Sequence, residues 1–396
     1  MVDNVVSAAR LVGLADSDSG PGWVAIRGER IVDVGRGEPP RAADITLDEG
    51  TLVPGLVDAQ VNGAFAIDFA EAGAADVRRV AERMTSTGVT SMVPTFITAP
   101  LDKLVEQIAS YDVARRASNT AGGATRLLPA HVEGPFLSAR RRGAHREELL
   151  IDPTPERIAR LVELAEAISY VTLAPERAGA IRAIHELVAA GIRVAIGHSD
   201  ASDHEVFAAA DAGATLVTHL YNAQRPLHHR APGVVGAALT DPRLTLGLIV
   251  DGHHVDPTAV ALAFAAAPGR VMLVTDAVAA LGMPAGSYEL GGQQIVVTAG
   301  APPLRSDGTI AGSDEPLDAN IGHAVAAGVG LVDAIRAATR TPADALGRSD
   351  LGRLEPGAFA DLVLLGNDLR ARRTWVGGRQ VWDDHSMTSC ERVTLT

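Results

Sequence analysis

The chain has 396 residues, of which 47% are hydrophobic and 21% charged, so it is an ordinary globular sequence with apolar material for one large core or two modest ones. Its formal net charge of −13 repels nucleic acid and anionic membranes at long range, and no long Lys/Arg run supplies a local basic groove. One cysteine, Cys390, cannot close an internal disulfide. No basic leader opens "MVDNVVSAARL", and the longest apolar stretches are about half a bilayer span, so a soluble cytoplasmic protein is expected.

From about Val5 to Thr51 the sequence reads as short strands and turns, with two alternating runs around Arg27-Gly28-Glu29 predicting a hairpin. The middle, from about Val53, alternates apolar strand-like runs with Ala-rich helical ones. In "RAGAIRAIHELVAAGIRVAIGHSD" a helix with Ile181, Ile184, Leu187 and Val188 on its apolar side stops at Gly191, and a buried strand follows. Another helical stretch, Leu331 to Leu346, precedes a second strand-rich region at the far end. The expected fold is α/β: a (β/α)8 barrel over residues 53–352, with a small β-sandwich domain built from residues 1–52 and 353–396. A doubly wound open sheet is the structural alternative, since periodicity alone does not separate the two.

The ionisable residues fall in a pattern along these strands. "RLLPAHVE" ends in His131 and Glu133, "IRVAIGH" in His198, "ATLVTH" in His219 and "RVMLVTD" in Asp276. In a parallel barrel the carboxyl ends of the strands share one face, where such folds build their active sites. Glu133, His198 and His219 together form an oxygen and nitrogen set suited to one divalent metal, zinc first, with iron, cobalt and manganese also possible. A metal there would acidify water, and Asp276 would carry its proton. Taken singly, each has a plainer reading: Asp276 as the N-cap of a helix over "AVAALG", Glu133 as a solvated turn residue. In "VPGLVDAQVNG", Gln60 and Asn62 point to one side of the first barrel strand. Amides ligate zinc weakly, so their expected work is orienting water or substrate at a site with one metal.

The ordered set "VPGLVDAQVNG", "HVEGPFLSARRRGAH", "GHSDAS", "THLYNAQRPLHHRAPGVVGAAL", "IVDGHHVDP", "LVTDAVAALGMPAGSYELGG" and "IAGS" resembles the N-acetylglucosamine-6-phosphate deacetylases of the amidohydrolase superfamily, from about Val53 to Leu365. The resemblance implies metal-dependent hydrolysis of the N-acetyl group of an amino-sugar 6-phosphate, releasing acetate, by a homodimer. It gives Glu133, His198 and His219 as metal ligands, Asp276 as acid and base, and His145 with Ala144 as contacts near the acetyl carbonyl. Asn222 and Ala223 resemble the pair whose neighbourhood holds the sugar phosphate. Arg230 resembles a phosphate-binding arginine, His254 a histidine reaching the phosphate across the dimer interface, and Ile310, Ala311 and Gly312 a backbone substrate contact.

Two stretches depart from the family pattern, Gln224-Arg225 and Asp314-Glu315, and both are expected close enough to the pocket to affect which sugar is taken. Arg140 to Arg142 read as a charged, solvated loop. Nearby alternatives are a deacetylase of N-acetylgalactosamine 6-phosphate, another amidohydrolase acting on a small amide, and a noncatalytic sugar-phosphate binding protein. The last would be expected to lose a ligand or Asp276, and here neither is lost. A Rossmann oxidoreductase is disfavoured because no Gly-x-Gly-x-x-Gly turn follows a strand.

Overall fold

The computed structural model describes residues 2–14 and 19–384; Cys390 lies outside the described residues. Both chain ends enter one sheet. The N-terminal strands Asn4–Leu11, Gly20–Arg27, Arg30–Arg36, Ile45–Leu47 and Thr51–Pro54 are joined by Leu362–Leu365, Ala371–Val376 and Arg379–Asp383. The seam is the antiparallel pairing of Thr51–Pro54 with Leu362–Leu365, with Leu52 opposite Leu364. Strands from both ends then share a core that includes Leu11, Val24, Ile26, Ile31, Leu52, Leu362 and Trp375.

The hairpin forms at Gly28-Glu29, where Gly28 takes φ +56, a left-handed conformation that glycine adopts without a Cβ penalty. Gly20–Arg27 does not alternate, however: its residues from Gly22 to Ile26 are all buried. Val24 and Ile26 join the shared core while Trp23 and Ala25 pack with Val5 on the other side. A strand covered on both faces loses the period-2 signal.

The middle of the chain forms a parallel barrel. Its staves are Leu56–Val61, Val89–Ile97, Arg126–Leu127 continuing as Ala130–Glu133, Ile168–Leu173, Arg193–Ile196, Leu216–Val217, Thr245–Leu248 and Val271–Leu273. Closure decides against the open sheet. Just beyond the last strand, Asp276 N–H donates to Gln60 O at 3.0 Å and Asn62 N–H donates to Ala277 O at 2.7 Å, so the last stave bonds the first. Val89–Ile97 is buried throughout, as expected of a barrel strand with side chains inside and helices outside. In the unit read from sequence, helix Ala180–Ala189 buries Ile184 and Leu187, while Val188 stays 38% exposed on the outer side. The Leu331 to Leu346 stretch is two helices, Leu331–Ala338 and Arg340–Ala345, broken at Thr339.

A third sheet, not anticipated from the sequence, follows the last stave. Gly286–Leu290, Gln293–Val297 and Leu304–Arg305 pair antiparallel, and its Gln293 and Arg305 side chains each donate to Ala144 O at 3.2 Å. It therefore braces the loop after the Ala130–Glu133 strand.

Candidate active site

Glu133 closes its strand, and His198, His219 and Asp276 stand within three residues of theirs, so barrel topology delivers all four to one end. Glu133 Oε1 lies 3.2 Å from His198 Nε2 and 3.0 Å from His219 Nε2, and the two histidine nitrogens are 3.0 Å apart. All three residues are buried, and their donor atoms lie within 4.8 Å of one another. A tetrahedral zinc with bonds of about 2.0–2.2 Å would set its ligand atoms roughly 3.3 Å apart, so the spacing fits a divalent ion. Burial alone would raise the Glu133 carboxyl, but its hydrogen bonds to His198 and His219 hold it well below the ordinary carboxylate range.

The imidazole of His198 is oriented from outside. Its Nδ1 lies 2.9 Å from Arg141 O, which selects the tautomer that leaves Nε2 free to ligate. Ser138 N–H donates to His198 O, and a Cβ at Gly143 would stand 3.0 Å from His198 Cε1. The arginine loop is solvated at Arg140 yet anchored, because Arg141 and Arg140 bond Asp200 at 2.9 and 3.3 Å. Both arginines also line the cavity. Asp200 sits two residues after His198, so this loop and this ligand form one packed unit.

Asp276 is buried beside this group. Its Oδ1 accepts from Gln60 Nε2 at 2.9 Å and Asn62 Nδ2 at 2.8 Å. Burial, assisted by the negative charge of Glu133, pushes its carboxyl up to about 6 against the opposing pull of His219 and Asn62. The helix N-cap reading fails, since "AVAALG" forms turns and bridges rather than a helix. His145 is buried too, with Nδ1 2.8 Å from Thr98 Oγ1. Burial, reinforced by His198, holds its imidazole neutral, well below the ordinary histidine range. His131 shares the strand of Glu133 but faces the barrel interior, stacked on Tyr170 at 3.9 Å and bonded to Thr95 and Thr172. It stands outside the metal-binding group.

These groups open onto a cavity of about 380 Å³. Asn62, Ala144, Asn222, Ala223, Ile310 and Gly312 line it together with the four strand-end residues and His145. Gln60 stands behind Asp276, and Ala311 is buried beside the wall. His254 also lines the cavity of its own chain, gripped by Asp251 Oδ2 at 2.6 Å, so it needs no dimer interface to reach a ligand there. Arg230 is the residue left out. It is exposed on a loop beside His229 and does not touch the cavity.

The two departures from the family pattern also lie off the lining. Gln224 is a buried strut, donating to Thr218 O at 2.7 Å and accepting from Tyr221 N–H at 3.2 Å. Neither Arg225 nor Asp314-Glu315 borders the cavity. Residues that do, and that sequence reasoning passed over, are Ile97, Ile249, Leu290 and Thr309, apolar or neutral side chains whose types carry no chemical signal. Asp251 was missed as well, though a carboxylate three residues before His254 is a readable pairing signal.

A family model described as the amidohydrolase family matches residues 51–381. The chain belongs to the amidohydrolase family. Among curated relatives of this amidohydrolase, an N-acetylglucosamine-6-phosphate deacetylase from Bos taurus is 39% identical over 379 residues, covering 91% of each chain. An N-acetylgalactosamine-6-phosphate deacetylase from Escherichia coli O157:H7 is 36% identical, covering 90% of this chain and 95% of that one. Among solved structures, a mutant N-acetyl-D-glucosamine-6-phosphate deacetylase from Mycobacterium smegmatis in complex with N-acetyl-D-glucosamine-6-phosphate superposes with a TM-score of 0.89. It is 37% identical and covers 96% of this chain and 99% of that one. No helix among the described residues of this amidohydrolase is long and apolar enough to cross a membrane.

Proposed function

We propose that this amidohydrolase removes the acetyl group from N-acetyl-D-glucosamine 6-phosphate, giving D-glucosamine 6-phosphate and acetate. The carrying observation is the convergence of Glu133, His198 and His219 with a buried Asp276 whose Oδ1 is tied to Gln60 and Asn62. A divalent ion held by Glu133, His198 and His219, zinc first, would acidify water and polarise the acetyl carbonyl. The amides of Gln60 and Asn62 fix the Asp276 carboxylate and leave its Oδ2 to take the proton of the attacking water. Asp276 then delivers that proton to the departing nitrogen. His145 is held through Nδ1, 2.8 Å from Thr98 Oγ1, and in the tautomer protonated on Nε2 its Nε2–H would hydrogen-bond the carbonyl oxygen as negative charge develops.

The substrate phosphate would lie toward Asn222, Ala223 and His254, with Ala144 and the Ile310 to Gly312 backbone against the sugar. Because Arg230 does not reach its own cavity, we propose that it acts on the phosphate from a second copy of the chain, in a cytoplasmic homodimer. Residues 1–52 with 353–396 would be a small domain beside the barrel of 53–352, with a boundary near Gly55, since Thr51–Pro54 pairs within the end sheet.

The test is acetate release from N-acetylglucosamine 6-phosphate, the unphosphorylated sugar and the galacto epimer, with and without chelator. Release that needs the phosphate and is abolished by chelator supports the reading. Preference for the galacto epimer would assign the enzyme to that second substrate instead. No release from any acetylated sugar phosphate with any of the four metals would refute it.

A further inference from the structure

We propose that the opposite end of the barrel holds a second ligand site, which binds a compact dianion of the phosphate class. A cavity of about 490 Å³ opens there, where Arg193, Leu216 and Thr245 begin their strands. Four arginines line it, Arg193, Arg243, Arg336 and Arg340, against one carboxylate, Asp344. The hydroxyls of Thr215 and Thr341 complete a lining of hydrogen-bond donors.

The existing ion pairs leave part of this charge unmatched. Arg243 is engaged by Asp241 and Asp211 at 2.6 Å each, and Arg340 by Glu355 at 3.0 Å. Asp344 is shared between Arg340 and Arg353. The one carboxylate of the lining is thus already paired. The guanidinium groups of Arg193 and Arg336 have no hydrogen bond or ion pair among the described residues. For Arg193 this is costly. It is half-buried, and burial, with no carboxylate to offset it, lowers its pKa. A Cβ at Gly347 would come within 1.9 Å of Arg193 Nη2, so the guanidinium lies directly against a backbone that only glycine leaves open.

Two uncompensated planar forks beside hydroxyl donors match the oxygens of a phosphate, which arginine binds in bidentate fashion. In a chain of net charge −13 such a spot captures an anion by local geometry. The site stands on residues the deacetylase reading does not use, so either can fail alone.

The test is calorimetric titration of the metal-loaded full chain with inorganic phosphate, for wild type, Arg193→Gln/Arg336→Gln and His254→Gln. His254→Gln reports on phosphate held in the catalytic cavity. The Arg193→Gln/Arg336→Gln double variant of this site, the barrel floor, should lose one binding event or weaken it at least tenfold, with deacetylation kcat and KM within twofold of wild type, while His254→Gln keeps that event. Arg193→Lys, which retains charge without the fork, should weaken binding less than Arg193→Gln. Should the double variant misfold, the exposed Arg336→Gln alone must still weaken the event. The proposal is overturned if floor variants bind phosphate as wild type does, or if all phosphate binding disappears in His254→Gln. Comparing phosphate with glucosamine 6-phosphate at the floor distinguishes free phosphate from a phosphate ester as the natural occupant.

Discussion

Replacing Asp200 by Asn should weaken metal binding without unfolding the protein. Asp200 accepts from Arg141 Nε at 2.9 Å and Arg140 Nη1 at 3.3 Å. Burial would raise its carboxyl, but these guanidinium hydrogen bonds win and hold it below its ordinary value. The pairs are partly exposed, so their direct worth is about 0.5–1 kcal/mol, too little to threaten the fold. The larger consequence passes through Arg141 O, which holds His198 Nδ1 at 2.9 Å. Loss of an outer partner of a metal-bound histidine typically costs about 10–100-fold in metal affinity, or roughly 1.4–2.7 kcal/mol. Ser138 N–H still pins the loop to His198 O, which places the expected loss near tenfold. Competition against a chromophoric chelator measures it, with Glu186→Gln as control because its pair with Arg182 is remote and exposed. A metal dissociation constant for Asp200→Asn within twofold of wild type would refute the idea that the arginine loop orients His198.

Asp276→Asn keeps an Oδ1 that can accept from Gln60 and Asn62 but removes the proton carrier. Turnover should fall about 10²–10⁴-fold with little change in binding of the product glucosamine 6-phosphate; a loss of less than tenfold would remove Asp276 from the proton path. Asp58 is fully buried, and burial pushes its carboxyl from 3.8 up to about 7 despite hydrogen bonds from Thr275 and Gln60. Its folded pKa lies above the unfolded value, so its stabilising contribution is complete below about pH 4 and is lost as pH rises through about 7. The Tm of Asp58→Asn relative to wild type should therefore climb from pH 5 to pH 8, and a pH-independent difference would contradict this. Ala223 holds φ +50, where a Cβ costs about 1–2 kcal/mol, against about 0.5–1 kcal/mol of extra chain entropy for glycine. Ala223→Gly should thus leave denaturant stability unchanged or raise it by up to about 1.5 kcal/mol, whereas a loss above about 1 kcal/mol would show that the conformation is not strained.

The parts of the site that a sequence displays are those where residue type and strand end coincide. Glu133, His198, His219 and Asp276 each close an apolar run, and barrel topology turns that one-dimensional regularity into a cluster. The amide pair Gln60 and Asn62 was legible for the same reason, since period-2 alternation sets both on one side of a strand. Distances across the chain were not. Nothing in "HHRAPG" or "DGHHV" tells which basic residue enters its own cavity, and the structure places His254 inside and Arg230 outside. The arginine loop is solvent-exposed at Arg140 as its charge suggested, but its anchor was not legible, since Asp200 lies 59 residues from Arg141. The sheet over Gly286–Leu290, Gln293–Val297 and Leu304–Arg305 escaped notice because its strands are short and bury only Leu290, Ile295 and Val297.

The backbone explains why those strand-end residues can all face one point. His198, His219 and Asp276 take φ values of +46, +28 and +52, and Tyr221 and Ala223 in the following loop take +77 and +50. Non-glycine residues avoid this region, and each such residue costs of order 1–3 kcal/mol. A strand that simply continued would send its next side chains alternately inward and outward. A left-handed residue at its end instead breaks the alternation and re-aims the side chain over the barrel mouth, where Glu133 receives His198 and His219. Glycine would relieve the strain at these positions but carries no imidazole or carboxylate, so the chemistry itself forbids the favourable residue. The fold holds the strained turns in place through the bonds that close the barrel and brace its loops, among them Asp276 N–H to Gln60 O, Ser138 N–H to His198 O and Leu220 N–H to Gly247 O. The convergence that makes the site and the strain that marks it therefore have one cause.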